Sequence, residues 1–100
     1  MPLFAAIFED DLAAAERVRA VAEDAHVAWL EKHRDRVLVA GALRAADGGP
    51  ATGGLWLIEA ESADEARRIC TEDPFFTHGL RTSFRLESWS KGFPKGPVTL

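Results

Sequence analysis

The stretch Thr71-Glu72-Asp73-Pro74-Phe75-Phe76-Thr77-His78-Gly79 joins a helical pattern to the last alternating pattern of the chain. Asp is a favoured helix N-cap, and Pro at the next position has its φ already set for a first helical turn. The simplest reading of Asp73-Pro74 is therefore a short helix through Phe75-Phe76. A second reading makes Asp73 a carboxylate that orients a histidine. Either way the chain must turn sharply here, so that the segment from Leu80 onward can return to a sheet.

Outward from this turn, Ser62 and Glu65 form a capping box, which starts a helix whose apolar side is Ala63, Ala66, Ile69 and Cys70. Leu80 to Trp89 alternates in part, with Phe84 and Leu86 against Arg85 and Glu87, and reads as a strand. Upstream, Leu55-Trp56-Leu57-Ile58 is a strand. So is Val37-Leu38-Val39-Ala40, ending at Gly41. Ala45 to Gly54, rich in glycine, is the long loop between them. Leu3 to Phe8 is a continuous apolar run, as expected of a central strand covered on both faces. Asp10 or Asp11 offers an N-cap for a first helix that runs to about His33. At 100° per residue its apolar stripe holds Val18, Val21, Ala22, Ala25 and Trp29, with Arg19, His26 and His33 along one edge. Lys91 to Pro97 has no periodicity, and 91–100 reads as an irregular tail.

The order βαββαβ predicts a ferredoxin-like α+β fold: one antiparallel sheet with both helices on one face. The other face is then bare. If it carries side chains such as Trp56 or Phe84, it exposes more apolar surface than a monomer tolerates, which predicts a homodimer built sheet against sheet. One hundred residues fit a single domain, 1–100, with one core.

A net charge of -4 without basic clusters argues against nucleic acid as a partner. The apolar N-terminus is too short to span a membrane and lacks a charged leader, so no membrane partner and a cytoplasmic location are expected. The lone Cys70 cannot form an internal disulfide and reads as a small buried hydrophobe. No phosphate loop, dinucleotide fingerprint or nucleophile elbow occurs, and no cofactor is indicated. His26 and His33 are too widely spaced to share a metal ion without a bend, so no metal is expected.

His26 is the candidate catalyst, because an imidazole with a pKa near ~6.5 is a natural proton shuttle. A histidine at that edge is also a common packed, hydrogen-bonded side chain. His33 reads as structural or solvated near its helix end. His78 can reach a pocket mouth, and Trp29, Phe75 and Phe76 can wall one. Trp29, Trp56 and Trp89 read as core and interface and not as a cofactor box.

Several short motifs in this order resemble the YciI-like family of the dimeric α+β barrel superfamily. They are Arg19 with His26, Leu38 to Gly41, Thr52-Gly53, Ser62 to Ala66, and above all Asp73-Pro74-Phe75 with Gly79-Leu80. The resemblance covers nearly the whole chain. It implies a ferredoxin-like protomer, a sheet-to-sheet dimer, and a histidine–aspartate pair carried by His26 and Asp73, with Arg19 as a further polar group in the cleft. The family often has proline where this chain has Ala42, and some members have serine where it has Gly54. The family includes a dehydrochlorinase-like member, which implies that the scaffold can host proton-transfer chemistry.

Two functions are therefore expected as alternatives. The first is an enzyme acting on a small cyclic or aromatic compound by elimination, isomerisation or lactone-type chemistry. Its catalytic pair would be His26 and Asp73, and its substrate-binding residues Arg19, Trp29, Phe75, Phe76 and His78. The second is a non-catalytic, dimeric ligand-binding or accessory module.

Overall fold

The computed structural model describes all 100 residues. The elements are β1 (Leu3–Asp10), α1 (Ala15–Lys32), β2 (Val37–Leu43), β3 (Gly53–Glu59), α2 (Ala63–Glu72), α3 (Pro74–Thr77) and β4 (Arg81–Trp89). The four strands form one sheet in the order β2-β3-β1-β4, and every neighbouring pair is antiparallel. This is the expected ferredoxin-like βαββαβ arrangement.

The apolar run of β1 does not have both faces buried. Phe4, Ala6 and Phe8 are buried, while Leu3, Ala5 and Ile7 are half-buried. A strand points successive side chains to opposite faces, so the run supplies core on one side and an apolar surface on the other. The core on the helix side joins Phe4, Ala6 and Phe8 to Trp56, Ile58, Ile69 and Cys70. A second cluster holds Val18 and Ala22 of α1 against Phe75 and Leu80.

Trp56 is 1% exposed and belongs to this core, and Phe84 packs against it. The expectation that they mark the bare face is therefore corrected. Register gives the reason: Trp56 pairs with Ala6 and Phe84 with Phe8, both inward residues. The bare face instead carries the opposite parity: Leu3, Ala5 and Ile7 of β1, Leu55 and Leu57 of β3, and Trp89 of β4. The tail beyond β4 runs beside it, and a groove of about 720 Å³ lies between Phe93, Val98 and Leu100 of the tail and Leu3, Leu38 and Leu57.

Three local expectations change. Asp10 is the last residue of β1, not a cap; helix α1 begins at Ala15, with Ala14 as an N-cap that offers no side-chain bond, and Asp11 Oδ1 accepts only from Ala13 N–H at 3.1 Å. The buried stripe of α1 is Ala15, Val18 and Ala22, whereas Val21 and Ala25 are exposed. The same i, i+4 row continues to His26, so the histidine lies on the buried stripe and not at its edge. Finally, β2 runs past Gly41 to Leu43, and Gly53-Gly54 belong to β3.

The capping box forms as expected, with Ser62 Oγ accepting from Glu65 N–H at 3.1 Å. Asp73-Pro74 opens the one-turn helix α3, and Asp73 Oδ1 accepts from Phe75 N–H at 3.3 Å. Gly79, at φ +87°, ends that turn in the left-handed region, where a residue without Cβ is least strained.

Candidate functional site

Helix α1 brings His26 across the end of α2, to a residue 47 positions away in sequence. Its Nδ1 lies 2.6 Å from Asp73 Oδ1. A carboxylate can only accept, so Nδ1 carries the hydrogen and donates it. The imidazole lies flat on the Phe75 ring, with centroids 3.8 Å apart and planes 11° apart. The fixed acceptor and the stacked ring hold both the position and the tautomer of the histidine. Nε2 is the nitrogen left for other partners.

The Asp73 side chain is fully buried, while that of His26 is 12% exposed. A buried carboxylate without partners is costly, and one with a single hydrogen-bonded cation or donor is only partly compensated. Asp73 Oδ1 serves both His26 and the start of α3, and Oδ2 has no partner. Close by, the Cys70 thiol is pushed up to about 12, first by burial and then by the negative charge of Asp73.

A second buried carboxylate, Asp10, stands behind the arginines near Phe75. Asp10 Oδ1 accepts from Arg81 Nη1 at 2.7 Å, and Oδ2 from Arg19 Nη2 at 3.2 Å. The Arg81 guanidinium lies between two rings, 4.7 Å from the Phe8 centroid and 5.5 Å from that of Phe75. Glycine makes room for it: a Cβ on Gly54 would stand 3.2 Å from Arg81 Nη1 and 3.3 Å from Nη2.

These groups meet at a cavity of about 230 Å³ between α1, the α3 turn and the ends of β2, β3 and β4. Arg19, His26, Arg44, Trp56, Phe75 and Arg81 line it, and small residues including Ala40, Gly41 and Gly53 form the rest. The volume is below the roughly 300–1,000 Å³ of sites for drug-sized molecules, which suits a single ring. Chemically, the arrangement offers one imidazole nitrogen as acid or base, guanidinium donors, and flat apolar walls.

Of the residues singled out in the sequence, Arg19, His26 and Phe75 stand on this wall, and Asp73 stands behind His26. The other three lie elsewhere. Trp29 stacks on His33 at 4.1 Å and lies 5.8 Å from Trp56. Phe76 meets Phe84 edge-on at 6.0 Å. His78 is exposed, its Nδ1 2.9 Å from the Pro74 carbonyl.

Asp10, Arg44, Trp56 and Arg81 were not among those residues. Asp10 was findable, because it shares the parity of Phe4, Ala6 and Phe8 and so points inward with them. Arg81 was not. Counting back by twos from Leu86 and Phe84 reaches Thr82, but the ladder slips between Glu9 and Asp10, so that Asp10 pairs with Arg81. That irregularity turns Arg81 inward.

Fold and site together define a ferredoxin-like α+β protein of the dimeric α+β barrel type, with a small arginine-lined cavity beside the helix layer. The chain belongs to the YCII family: the family model described as YCII-related domain matches residues 3–90. A search of curated proteins gives no match. Among solved structures, the chain is similar to 5-chloro-2-hydroxyhydroquinone dehydrochlorinase (TftG) from Burkholderia phenoliruptrix AC1100, in complex with 2,5-dihydroxybenzoquinone. The two are 32% identical with a TM-score of 0.78, over 90% of this chain and 95% of that one. It is also similar to protein Atu4242 from Agrobacterium tumefaciens, at 15% identity and a TM-score of 0.56, over 95% of this chain and 98% of that one. SnoaB, a cofactor-independent oxygenase from Streptomyces nogalater, is 18% identical with a TM-score of 0.52, over 93% and 96%. The last two likenesses concern the fold alone.

Proposed function

We propose that this protein is a small-molecule enzyme that uses His26 and Asp73 for general acid–base chemistry on a small cyclic, hydroxylated compound, with elimination as the favoured reaction. The observation that carries this reading is the 2.6 Å bond from His26 Nδ1 to a fully buried Asp73 carboxylate, made by a histidine whose ring borders the 230 Å³ cavity. Similarity to a dehydrochlorinase that acts on a hydroquinone supports the substrate class.

In this mechanism His26 Nε2 takes a proton from the substrate. Asp73 keeps Nδ1–H in place and stabilises the imidazolium that forms. The electron pair released in the substrate forms a new π bond and expels a leaving group, which departs with its bonding electrons. His26 then returns its proton to the leaving group or to solvent. A positioned acid–base group of this kind contributes roughly 10²–10⁴-fold.

The test is chloride release from 5-chloro-2-hydroxyhydroquinone by the purified protein and by His26→Asn. Turnover by the wild type that falls at least ~100-fold in the variant, with an unchanged fold, is the expected result. Equal turnover by both removes the general-base role.

We further infer a homodimer through the bare sheet face and a cytoplasmic location. Leu3, Ala5, Ile7, Leu55, Leu57 and Trp89 support the first, since an apolar face of this kind usually marks an interface. Sedimentation at micromolar concentration tests it, and Leu57→Lys is expected to yield monomers. For the second, the chain has no helix long and apolar enough to cross a membrane.

A further inference from the structure

The charge on the cavity wall is one-sided. Arg19, Arg44, Arg81 and His26 line it, and no Asp or Glu does. This is unexpected in a chain with 16 acidic and 12 basic residues and a net charge of -4. The two acids that serve the site stand behind the wall, with side chains that are fully buried: Asp10 behind Arg19 and Arg81, and Asp73 behind His26. Arg44 has no ion-pair partner. Three guanidinium groups therefore face two carboxylates, and the wall keeps a positive excess.

Arg81 carries the second observation. Its side chain is 6% exposed, and its Nε is buried with no hydrogen-bond partner, although Nη1 is engaged by Asp10. A buried donor left unpaired is expensive, and a guanidinium presents its donors in a rigid planar fork. The rings of Phe8 and Phe75 hold that plane in place. Arg81 lines the cavity, so an oxygen anion bound there would lie beside a guanidinium that is already desolvated, and charge-assisted bonds to such a group are the strong ones. A cleft lined by one sign of charge also concentrates ligands of the other sign.

On the basis of the acid–base function proposed for His26, we propose that the site selects its substrate as an anion: a single ring bearing a phenolate, enolate or carboxylate oxygen. Arg81 and Arg44 bind that oxygen, and the ring lies beside His26 and Phe75. The group that ionises first docks on the arginines, and His26 Nε2 removes the proton from a second position. Arg81 and Arg44 are then specificity residues, and the pairing of Asp10 with Arg81 positions the fork.

The probes are benzoate, its neutral isostere benzamide, and 2,5-dihydroxybenzoquinone, titrated against the tryptophan fluorescence of the full chain. Benzoate is expected to bind at least about tenfold more tightly than benzamide, with a preference that shrinks as salt rises. 2,5-Dihydroxybenzoquinone, an acidic ring, is expected to follow benzoate. Arg44→Gln, at an exposed and unpaired position, should fold normally, lose about tenfold in benzoate affinity and leave benzamide unchanged. Arg81→Lys keeps a charge but loses the fork, and should weaken benzoate more than Arg44→Gln does. Equal affinities for the two isosteres, no binding of any probe, or unchanged benzoate affinity in Arg44→Gln overturns the proposal. His26→Asn separates the two readings: it should keep the preference for benzoate while losing turnover. Retained turnover with retained preference defeats the general base alone. Lost turnover with no charge preference defeats the anion site alone.

Discussion

Asp10 and Asp73 are both carboxylates with fully buried side chains, yet their surroundings differ. Asp10 has an arginine on each oxygen, at 2.7 and 3.2 Å. Asp73 gives one oxygen to both His26 and a helix start and leaves the other without a partner. The first is saturated and acts as a staple: it ties β1 to β4 and to α1. The second is undersaturated, and its one strong bond points at a group that can change protonation. A buried acid whose partners cannot lose a proton builds structure. A buried acid whose partner can lose one can serve chemistry.

The comparison breaks first in stability. Asp10→Ala leaves the Arg81 guanidinium buried and unpaired, and should destabilise the fold by about 3–5 kcal/mol, read from urea unfolding. Asp73→Asn should act differently. Asn is as good an N-cap as Asp, so α3 keeps its start and the melting temperature changes little. Turnover should fall by roughly 10²-fold or more, because a neutral amide stabilises the imidazolium less. A large stability loss in Asp73→Asn with intact turnover would make the two carboxylates alike.

A smaller effect is expected at Gly54. A side chain there must displace the Arg81 guanidinium by a few tenths of an ångström, so Gly54→Ser should cost about 1–2 kcal/mol. The same change should weaken benzoate more than benzamide. Equal weakening of the two would show that Arg81 is only a staple.

Cys70 provides a pH-dependent test of the burial around Asp73. Its thiol moves from 9.0 to about 12 on folding. Below pH 9 both states hold the proton, and the contribution to stability is complete. Between pH 9 and 12 the unfolded chain ionises first, so stability should fall as pH rises, and Cys70→Ala should remove that slope. Thiol reagents at about pH 8 should label the native protein far more slowly than the unfolded one. The smallest effect concerns His78→Ala. This side chain is exposed and turned to the Pro74 carbonyl, away from the cavity wall, so turnover should change less than about twofold.

Much of the fold was legible because local rules agree with one another. Strand runs, the Ser62 capping box, Asp73-Pro74 and Gly79 each specify their own backbone, and their order leaves one compact α+β solution. The site was legible where it depends on sequence-local chemistry: a histidine beside a helix stripe and an acid at a helix cap. The faces of the sheet were harder to read. Trp56 is as apolar as a surface patch would require, and only its pairing with Ala6 turns it inward.

By itself the sequence determined the elements and their order, and its resemblance to a family pointed to His26 and Asp73 as a pair. Only the tertiary structure decided that these two meet at 2.6 Å, that a slip in the β1–β4 ladder turns Arg81 into the cavity, and that the acids stand behind the wall while the bases line it. The physical reason is range. Caps and periodicities act within a few residues, whereas the burial and charge of a site come from chain segments that meet only after folding.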